Sequence, residues 1–131
     1  RTANAMALIQ ALACCPALHV PLPPADCQHA WYKLYAYVRP HALNAGWDRD
    51  RIMAEINAGG VPCYAGTCSE VYLEKAFEDT GWRPAERLSV ARMLGETSLM
   101  FLVHPTLTAA EIERTGAMAC AVMRSATRAV A

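Results

Sequence analysis

The stretch Ser98-Leu99-Met100-Phe101-Leu102-Val103 decides the fold that the sequence predicts. Apolar residues follow the serine without interruption, which is the pattern of a strand that is buried on both faces. A strand of this kind lies in the middle of a sheet. The rest of the chain must therefore provide partner strands, and helices that cover the sheet.

Two further strands are predicted before this stretch, over residues 30–39 and 61–64. Residues 30–39 are dense in aromatic and β-favouring side chains, and Pro40 ends the strand because proline has no backbone N–H to donate. Residues 61–64 follow the Gly59-Gly60 pair, which predicts the end of a helix. Together with the first stretch, these segments predict a sheet of three strands.

Helices are predicted between and around these strands. The clearest start is Thr108-Ala109-Ala110-Glu111, which has the form of a capping box. Asp48 is a second predicted N-cap, and Pro16 stops the Ala-rich helix at the beginning of the chain. The predicted helices cover residues 2–15, 49–58, 69–80 and 84–95, with a last one from residue 109. Three strands against several helices predict an α+β fold, and 131 residues suit one domain.

The composition excludes several classes of function. Twelve basic and twelve acidic side chains give a net charge of zero, whereas nucleic-acid binders carry clustered Lys and Arg in excess. No apolar run reaches the ~18 residues that cross a membrane. We therefore expect neither a nucleic-acid nor a membrane partner. Cys14 and Cys15 are adjacent in one predicted helix and Cys120 lies in another, which favours reduced thiols and a cytoplasmic protein.

Cysteine and histidine residues raise the questions of metal binding and of nucleophilic catalysis. Cys63 and Cys68 form one loose pair, whereas a zinc site usually shows two close pairs of ligands. We therefore expect no metal site. Cys68 also precedes a predicted helix start at Ser69, where the helix dipole would favour a thiolate. His29 or His104 would then be the base. A packed, unreactive thiol is the simpler interpretation.

The segment from Tyr64 to Tyr72 is the best candidate for ligand binding. It joins a strand end, a turn of small residues and a predicted helix start. Small side chains let a ligand approach the backbone, and a helix N-terminus attracts an anionic group. The tyrosines are suited to stacking on a ring that carries hydroxyls. A turn that only connects two elements is the alternative. The candidate substrate-binding residues are Tyr64, Cys68, Ser69, Glu70 and Tyr72, with His29 as a further candidate.

The order of these segments resembles the carboxy-terminal domain of the DegT/DnrJ/StrS family, the pyridoxal-phosphate (PLP)-dependent sugar aminotransferases of fold type I. The matching stretches are residues 29–35, 49–62, 63–77, 85–88 and 102–108. The first is similar to an aromatic strand with a histidine, and the second to a helix, a glycine stop and a new strand. The third resembles a loop with Cys-Ser-Glu and then Glu-Lys-Ala-Phe, and the last a His-Pro-x-Leu-Thr turn. The resemblance covers nearly the whole chain.

The resemblance implies a small, mostly antiparallel sheet packed against helices, in a single carboxy-terminal small domain over residues 1–131. It implies a homodimeric enzyme that aminates a nucleotide-linked keto-sugar, with glutamate as amino donor, for cell-surface polysaccharides or deoxysugars. In the family, a lysine of the large amino-terminal domain holds PLP, and Lys33 and Lys75 match no such position. We therefore expect neither a cofactor site nor transamination in this chain alone. The loop from Tyr64 to Tyr72 would close over the sugar.

Two alternatives to this interpretation stand beside it. The chain opens at Arg1 within helix-forming sequence, from which we expect a piece of a larger enzyme. A free-standing α+β binding or interaction module is the first alternative. The second is the corresponding domain of a PLP-dependent sugar dehydratase, a relative in which histidine replaces the cofactor lysine.

Overall fold

The computed structural model describes residues 1–66 and 68–129. In these residues the helices are α1 (Thr2–Leu12), α2 (Arg49–Ala58), α3 (Ser89–Thr97) and α4 (Ala109–Ala126). The strands are β1 (Leu18–His19), β2 (Leu34–Val38), β3 (Cys63–Ala65) and β4 (Ser98–Phe101). The predicted α+β class is confirmed, with one strand more than the three expected. No helix in this part of the chain is long and apolar enough to cross a membrane.

The strands form one antiparallel sheet in the order β1-β2-β4-β3. The predicted central position of β4 is confirmed, because β4 lies between β2 and β3 and is buried along its length. The additional strand β1 lies at the edge, where Leu18 pairs with Val38 and His19 pairs with Tyr37. It lies just before the proline-rich residues 21–24. A strand of two residues is too short to show a periodic pattern in the sequence.

Two of the helix starts are fixed by side-chain caps. Asp48 Oδ1 accepts a hydrogen bond of 2.8 Å from the Arg51 backbone N–H at the start of α2. At the start of α4, Thr108 Oγ1 accepts from the Glu111 N–H, and Glu111 Oε2 accepts from the Thr108 N–H. Both caps were predicted, and both are confirmed because a cap depends only on neighbours in sequence.

The helix predicted over residues 69–80 is wrong. The chain forms two short 3₁₀ helices there, Val71–Leu73 and Lys75–Phe77, separated by extended backbone. The guanidinium of Arg83 donates hydrogen bonds of 2.9, 2.9 and 3.1 Å to the backbone carbonyls of residues 72–74. These carbonyls thus have partners without an α-helix, and the segment folds as a compact loop.

The helix predicted over residues 84–95 exists but is displaced along the sequence. It begins at Ser89 and ends at Thr97, where β4 follows directly. The Leu88 backbone N–H donates a hydrogen bond of 2.9 Å to the Tyr72 hydroxyl, which ties the chain before α3 to the loop. This contact joins residues far apart in sequence, so no local signal marks the start of α3.

The sheet has two unlike faces. On one face, helices α1, α2 and α4 cover the strands and build the core; we call this the covered face. Its buried side chains on the strands are Leu34, Ala36, Val38, Leu99 and Phe101. The helices contribute Ala5, Leu8, Leu12, Ile52, Ile56, Ile112, Ala119 and Met123.

The opposite face carries Tyr35, Tyr37, Tyr64, Ser98 and Met100, and we call it the tyrosine face. Directly paired residues of neighbouring antiparallel strands point to the same face. Met100 pairs with both Tyr35 and Tyr64, and Ser98 pairs with Tyr37. The helix α3 is the element that lies over part of this face. The tyrosine face is therefore only partly covered.

Candidate functional site

A cavity of about 460 Å³ lies between the tyrosine face and α3. Tyr35, Tyr37 and Ser98 form its floor, while Gly66 and Ser69 lie at its rim. The wall is apolar and comes from α3 and the residue before it. A pocket with an apolar wall and a few hydroxyl groups is the usual form of a small-molecule site.

A larger cavity of about 840 Å³ lies on the other side of α3, towards β1. Its lining includes Arg39, Arg87 and Arg92 together with His19 and His41. Arg92 Nε is 2.7 Å from Glu96 Oε1 on the same helix, so part of this positive charge is already balanced. The helix α3 is therefore flanked by open space on both sides.

The carboxylate of Glu70 is held in place by two partners from the same region. Arg87 Nε donates a hydrogen bond of 2.9 Å to Oε1, and Arg87 Nη2 donates to Oε2. The Tyr72 hydroxyl donates a further hydrogen bond of 2.7 Å to Oε1. These partners, the Arg87 hydrogen bonds first, lower the pKa of Glu70 to about 2. Glu70 is thus a fixed anion that organises the loop.

The predicted binding residue Tyr72 belongs to the same network. Its hydroxyl donates to Glu70 and accepts from the Leu88 backbone N–H. Partial burial, and then the hydrogen bond to Glu70, raise the pKa of this phenol. Glu70 and Tyr72 therefore link the loop to the start of α3.

The thiol of Cys68 has a neighbour that opposes ionisation. Its Sγ donates a hydrogen bond of 3.2 Å to Glu74 Oε1, and this bond is the main reason that the pKa of Cys68 is raised. No α-helix starts at Ser69, so the helix dipole expected to favour a thiolate is missing there. The structure thus favours the unreactive interpretation of this cysteine.

His29 and His104 belong to the other end of the sheet. The start of β2 and the end of β4 lie side by side, because Leu34 pairs with Phe101. His29 comes before the start of β2, and His104 comes after the end of β4. The loop from Tyr64 to Tyr72 leaves the sheet after Ala65, which pairs with Leu99 and lies at the end of the sheet away from these histidines. His29 Nδ1 accepts a hydrogen bond of 2.9 Å from the Trp31 backbone N–H. The six predicted binding residues are therefore split between two ends of the sheet.

The small residues of the loop region allow the protein to pack closely on itself. The Gly66 N–H donates a hydrogen bond of 3.1 Å to Ser98 Oγ, and a methyl group at Gly66 would lie 2.4 Å from that oxygen. A methyl group at Gly95 of α3 would lie 2.3 Å from Ser69 Oγ. Gly66 belongs to the turn predicted to leave room for a ligand, and Gly95 is the predicted end of a helix. They hold the loop against β4 and α3.

Tyr64 is the predicted residue that remains most available for a ligand. It lies on the tyrosine face, and 46% of its surface is exposed. Its neighbours Tyr35 and Tyr37 were not among the predicted binding residues. The alternation of buried and half-buried residues along β2 is the signal that places them on the open face. Arg87 was also missed, because its partner Glu70 is distant in sequence.

Neither lysine of the chain is placed to hold PLP. Lys33 Nζ lies 5.4 Å from the centre of the Tyr32 ring, and Lys75 lies on an exposed 3₁₀ turn. Neither side chain lines the cavity below α3. The two lysines therefore lie outside the cavity that the described site residues form.

Solved structures of aminotransferases share this fold. The aminotransferase from Psychrobacter cryohalolentis is 52% identical to this chain, with a TM-score of 0.89 over 94% of this chain and 33% of its own length. A DegT/DnrJ/EryC1/StrS aminotransferase from Brucella abortus is 22% identical, with a TM-score of 0.72 over 92% of this chain and 29% of its own. The predicted resemblance to the DegT/DnrJ/StrS aminotransferases is confirmed.

A third solved structure extends the comparison. NtdA from Bacillus subtilis, solved with bound cofactor PMP, is 20% identical, with a TM-score of 0.74 over 95% of this chain and 28% of its own. The chain spans about a third of the length of these proteins. No protein-family model matches the sequence, and no curated protein matches it significantly.

Proposed function

We propose that this chain is the carboxy-terminal small domain of a PLP-dependent aminotransferase that acts on a nucleotide-linked keto-sugar. The observation that carries the proposal is the 52% identity, over 94% of this chain, to the aminotransferase from Psychrobacter cryohalolentis. Glutamate is the proposed amino donor, and the enzyme is proposed to be a cytoplasmic homodimer.

The uncovered side of the molecule supports the role of a small domain in a larger enzyme. The side chains of Val90 and Met93 on α3 are 63% and 53% exposed, and Trp82 in the preceding loop is 76% exposed. Leu88 is also exposed beside them. An exposed apolar surface of this extent is typical of an interaction site. In the proposed enzyme it meets the large domain.

The chemistry of the tyrosine face supports a sugar as the substrate. Phenol rings offer both a stacking surface and a hydroxyl group, which suit a ring that carries hydroxyls. Tyr64 presents such a ring on the tyrosine face, and Ser69 adds a hydroxyl at the rim of the cavity. The loop from Tyr64 to Tyr72 would close over the sugar, with Glu70 and Tyr72 holding its shape. His29, at the far end of the sheet, has the weakest case among the predicted residues.

The proposed cofactor belongs to the parent enzyme. PMP, which is bound in the Bacillus subtilis structure, is the aminated form of PLP. When bound in the parent enzyme, PLP would supply the chemistry that moves an amino group from the donor to the keto-sugar. Because Lys33 and Lys75 do not fit PLP, the large domain supplies the cofactor lysine, and this chain contributes to binding and closing the sugar site.

The test uses the reading frame together with its upstream sequence. The purified protein is assayed for PLP absorbance and for amination of nucleotide-linked keto-sugars with glutamate. The variant Tyr64→Phe removes one hydroxyl from the tyrosine face and should raise KM for the keto-sugar several-fold. The rate of the glutamate half-reaction should stay the same, because that step does not involve the sugar.

The variant Tyr32→Phe is the matched control, since Tyr32 is exposed and lies before β2. It should leave both half-reactions unchanged. The isolated chain should show neither PLP absorbance nor glutamate-dependent amination. A PLP absorbance band in the isolated chain, lost on replacing Lys33 or Lys75, would overturn the proposal.

A further inference from the structure

Three thiols meet where the end of α1 packs against α4. Cys14 and Cys15 lie just after the last residue of α1, and Cys120 lies on α4. The Sγ atom of Cys120 is 3.4 Å from that of Cys14 and 3.5 Å from that of Cys15, and the Sγ atoms of Cys14 and Cys15 are 4.0 Å apart. All three cysteines are free. The sulfur atoms therefore form a small triangle.

A glycine brings the two helices close enough to form this triangle. Gly116 of α4 faces Ala11 of α1, and a methyl group at Gly116 would lie 2.7 Å from the Ala11 Cβ. Cys120 follows Gly116 by four residues, about one helical turn, and so lies on the same side of α4. The close approach at Gly116 thus places the Cys120 thiol against the end of α1.

The spacing of the sulfur atoms is that of ligands around one metal ion. A Zn–S bond of about 2.3 Å with tetrahedral angles puts two sulfur ligands about 3.8 Å apart, and the three observed distances fall on either side of that value. We propose that Cys14, Cys15 and Cys120 form a three-thiolate site for a thiophilic metal ion such as Zn²⁺.

The surroundings of the triangle suit a cation. The thiols of Cys14 and Cys120 both donate to the carbonyl oxygen of Ala11, in the last turn of α1. The carboxyl end of a helix carries partial negative charge and favours a positive ion. Once bound, Zn²⁺ with three thiolates carries one net negative charge, and Arg124 and Arg128 line the cavity of about 340 Å³ beside it.

The cavity leaves room for a fourth ligand beside the triangle, because Cys14 and Cys15 both line it. Within residues 1–66 and 68–129, no histidine nitrogen or carboxylate oxygen joins the three sulfur atoms. A zinc site with three protein ligands keeps an open position for water or another small ligand. The site therefore has the form of an open rather than a closed metal centre.

Binding exchanges protons for the metal without oxidation or reduction. A free thiol has a pKa of about 8.5, so the metal-free sulfurs carry protons near neutral pH. Three S–H bonds break, the three protons pass to water, and three S–Zn bonds form. Each sulfur keeps its electron pair as the bond to Zn²⁺ forms, and no oxidant is required.

The test measures Zn²⁺ binding to this chain in the presence of a phosphine reductant. Competition with a chromophoric chelator gives the affinity, and the ultraviolet absorption of Cd²⁺–thiolate bonds shows that sulfur is the ligand. One equivalent of metal per chain is expected. Loss of a group outside the ligand shell weakens a metal site about 10–100-fold, so Cys14→Ser should weaken binding by at least that range.

Two variants make this result decisive. Cys14 is exposed, so Cys14→Ser should leave the fold intact, which circular dichroism will show. Cys27→Ser removes a different exposed thiol and should bind Zn²⁺ as the unchanged chain does. Equal affinity in the two variants, or no stoichiometric binding of Zn²⁺ to the unchanged chain, would each overturn the proposal.

Discussion

The two faces of the sheet differ in how completely the helices of this chain cover them. On the covered face, Leu99 and Phe101 are fully buried beneath α1, α2 and α4. On the tyrosine face, the single overlying helix α3 leaves Val90 and Met93 exposed to solvent. The same four strands thus have one face that is completed by this chain and one that is not. This difference supports the proposal that the tyrosine face meets a partner surface.

Two of the three helices on the covered face also begin differently from α3. A capping box starts α4, and the Asp48 side chain caps α2, both on the covered face. The N-cap residue of α3 is Leu88, whose side chain makes no capping hydrogen bond. Instead, its backbone N–H donates to Tyr72 in the loop. The position of α3 therefore depends on the loop as well as on its own sequence.

The largest expected effect comes from a matched pair of leucines. Leu99→Ala on the covered face should lower the free energy of unfolding by roughly 2–5 kcal/mol, because it leaves a cavity in the core. Leu88→Ala before α3 should change it by only about 0.5 kcal/mol, because this side chain is exposed. Urea denaturation of both variants measures the difference. Equal losses would show that the tyrosine side is as much a core as the covered side.

A smaller effect is expected from the acid dependence of the loop. Because the pKa of Glu70 is lowered from 4.5 to about 2, the ionised carboxylate stabilises the fold above pH 4.5. This contribution is lost as the pH falls from 4.5 towards 2. Glu70→Gln should therefore reduce the decline in the free energy of unfolding over that range.

The exposed Glu113 on α4 offers the matched control for this measurement. Glu113→Gln should leave the decline as steep as in the unchanged chain. A Glu70→Gln variant with the same decline as this control would contradict the role of the Arg87–Glu70 pair in holding the loop.

Much of the fold was predictable because its signals are local. The apolar run of β4 gave its central position, and the cap residues Asp48 and Thr108 gave the starts of α2 and α4. The segment after Ser69 was misread as a helix because Arg83, which satisfies its carbonyls, comes later in the chain. A single sequence gives no sign of that contact.

The site was less predictable for the same reason. The loop from Tyr64 to Tyr72 stood out by its composition, but the Glu70–Arg87 pair and the tyrosine face depend on how the strands pair. The cluster of Cys14, Cys15 and Cys120 was the least predictable part, because Cys14 and Cys120 lie more than one hundred residues apart in sequence. The sequence indicated reduced cysteines and gave no sign that three of them meet.

We propose that the large domain of the proposed enzyme covers the tyrosine face and α3. Amide hydrogen exchange, compared between this chain alone and the protein extended by its upstream sequence, tests the claim most directly. The account predicts slower exchange in residues 64–72 and in α3 of the longer protein, and unchanged exchange in the buried turns of α4. Equal exchange of α3 in the two proteins would contradict it.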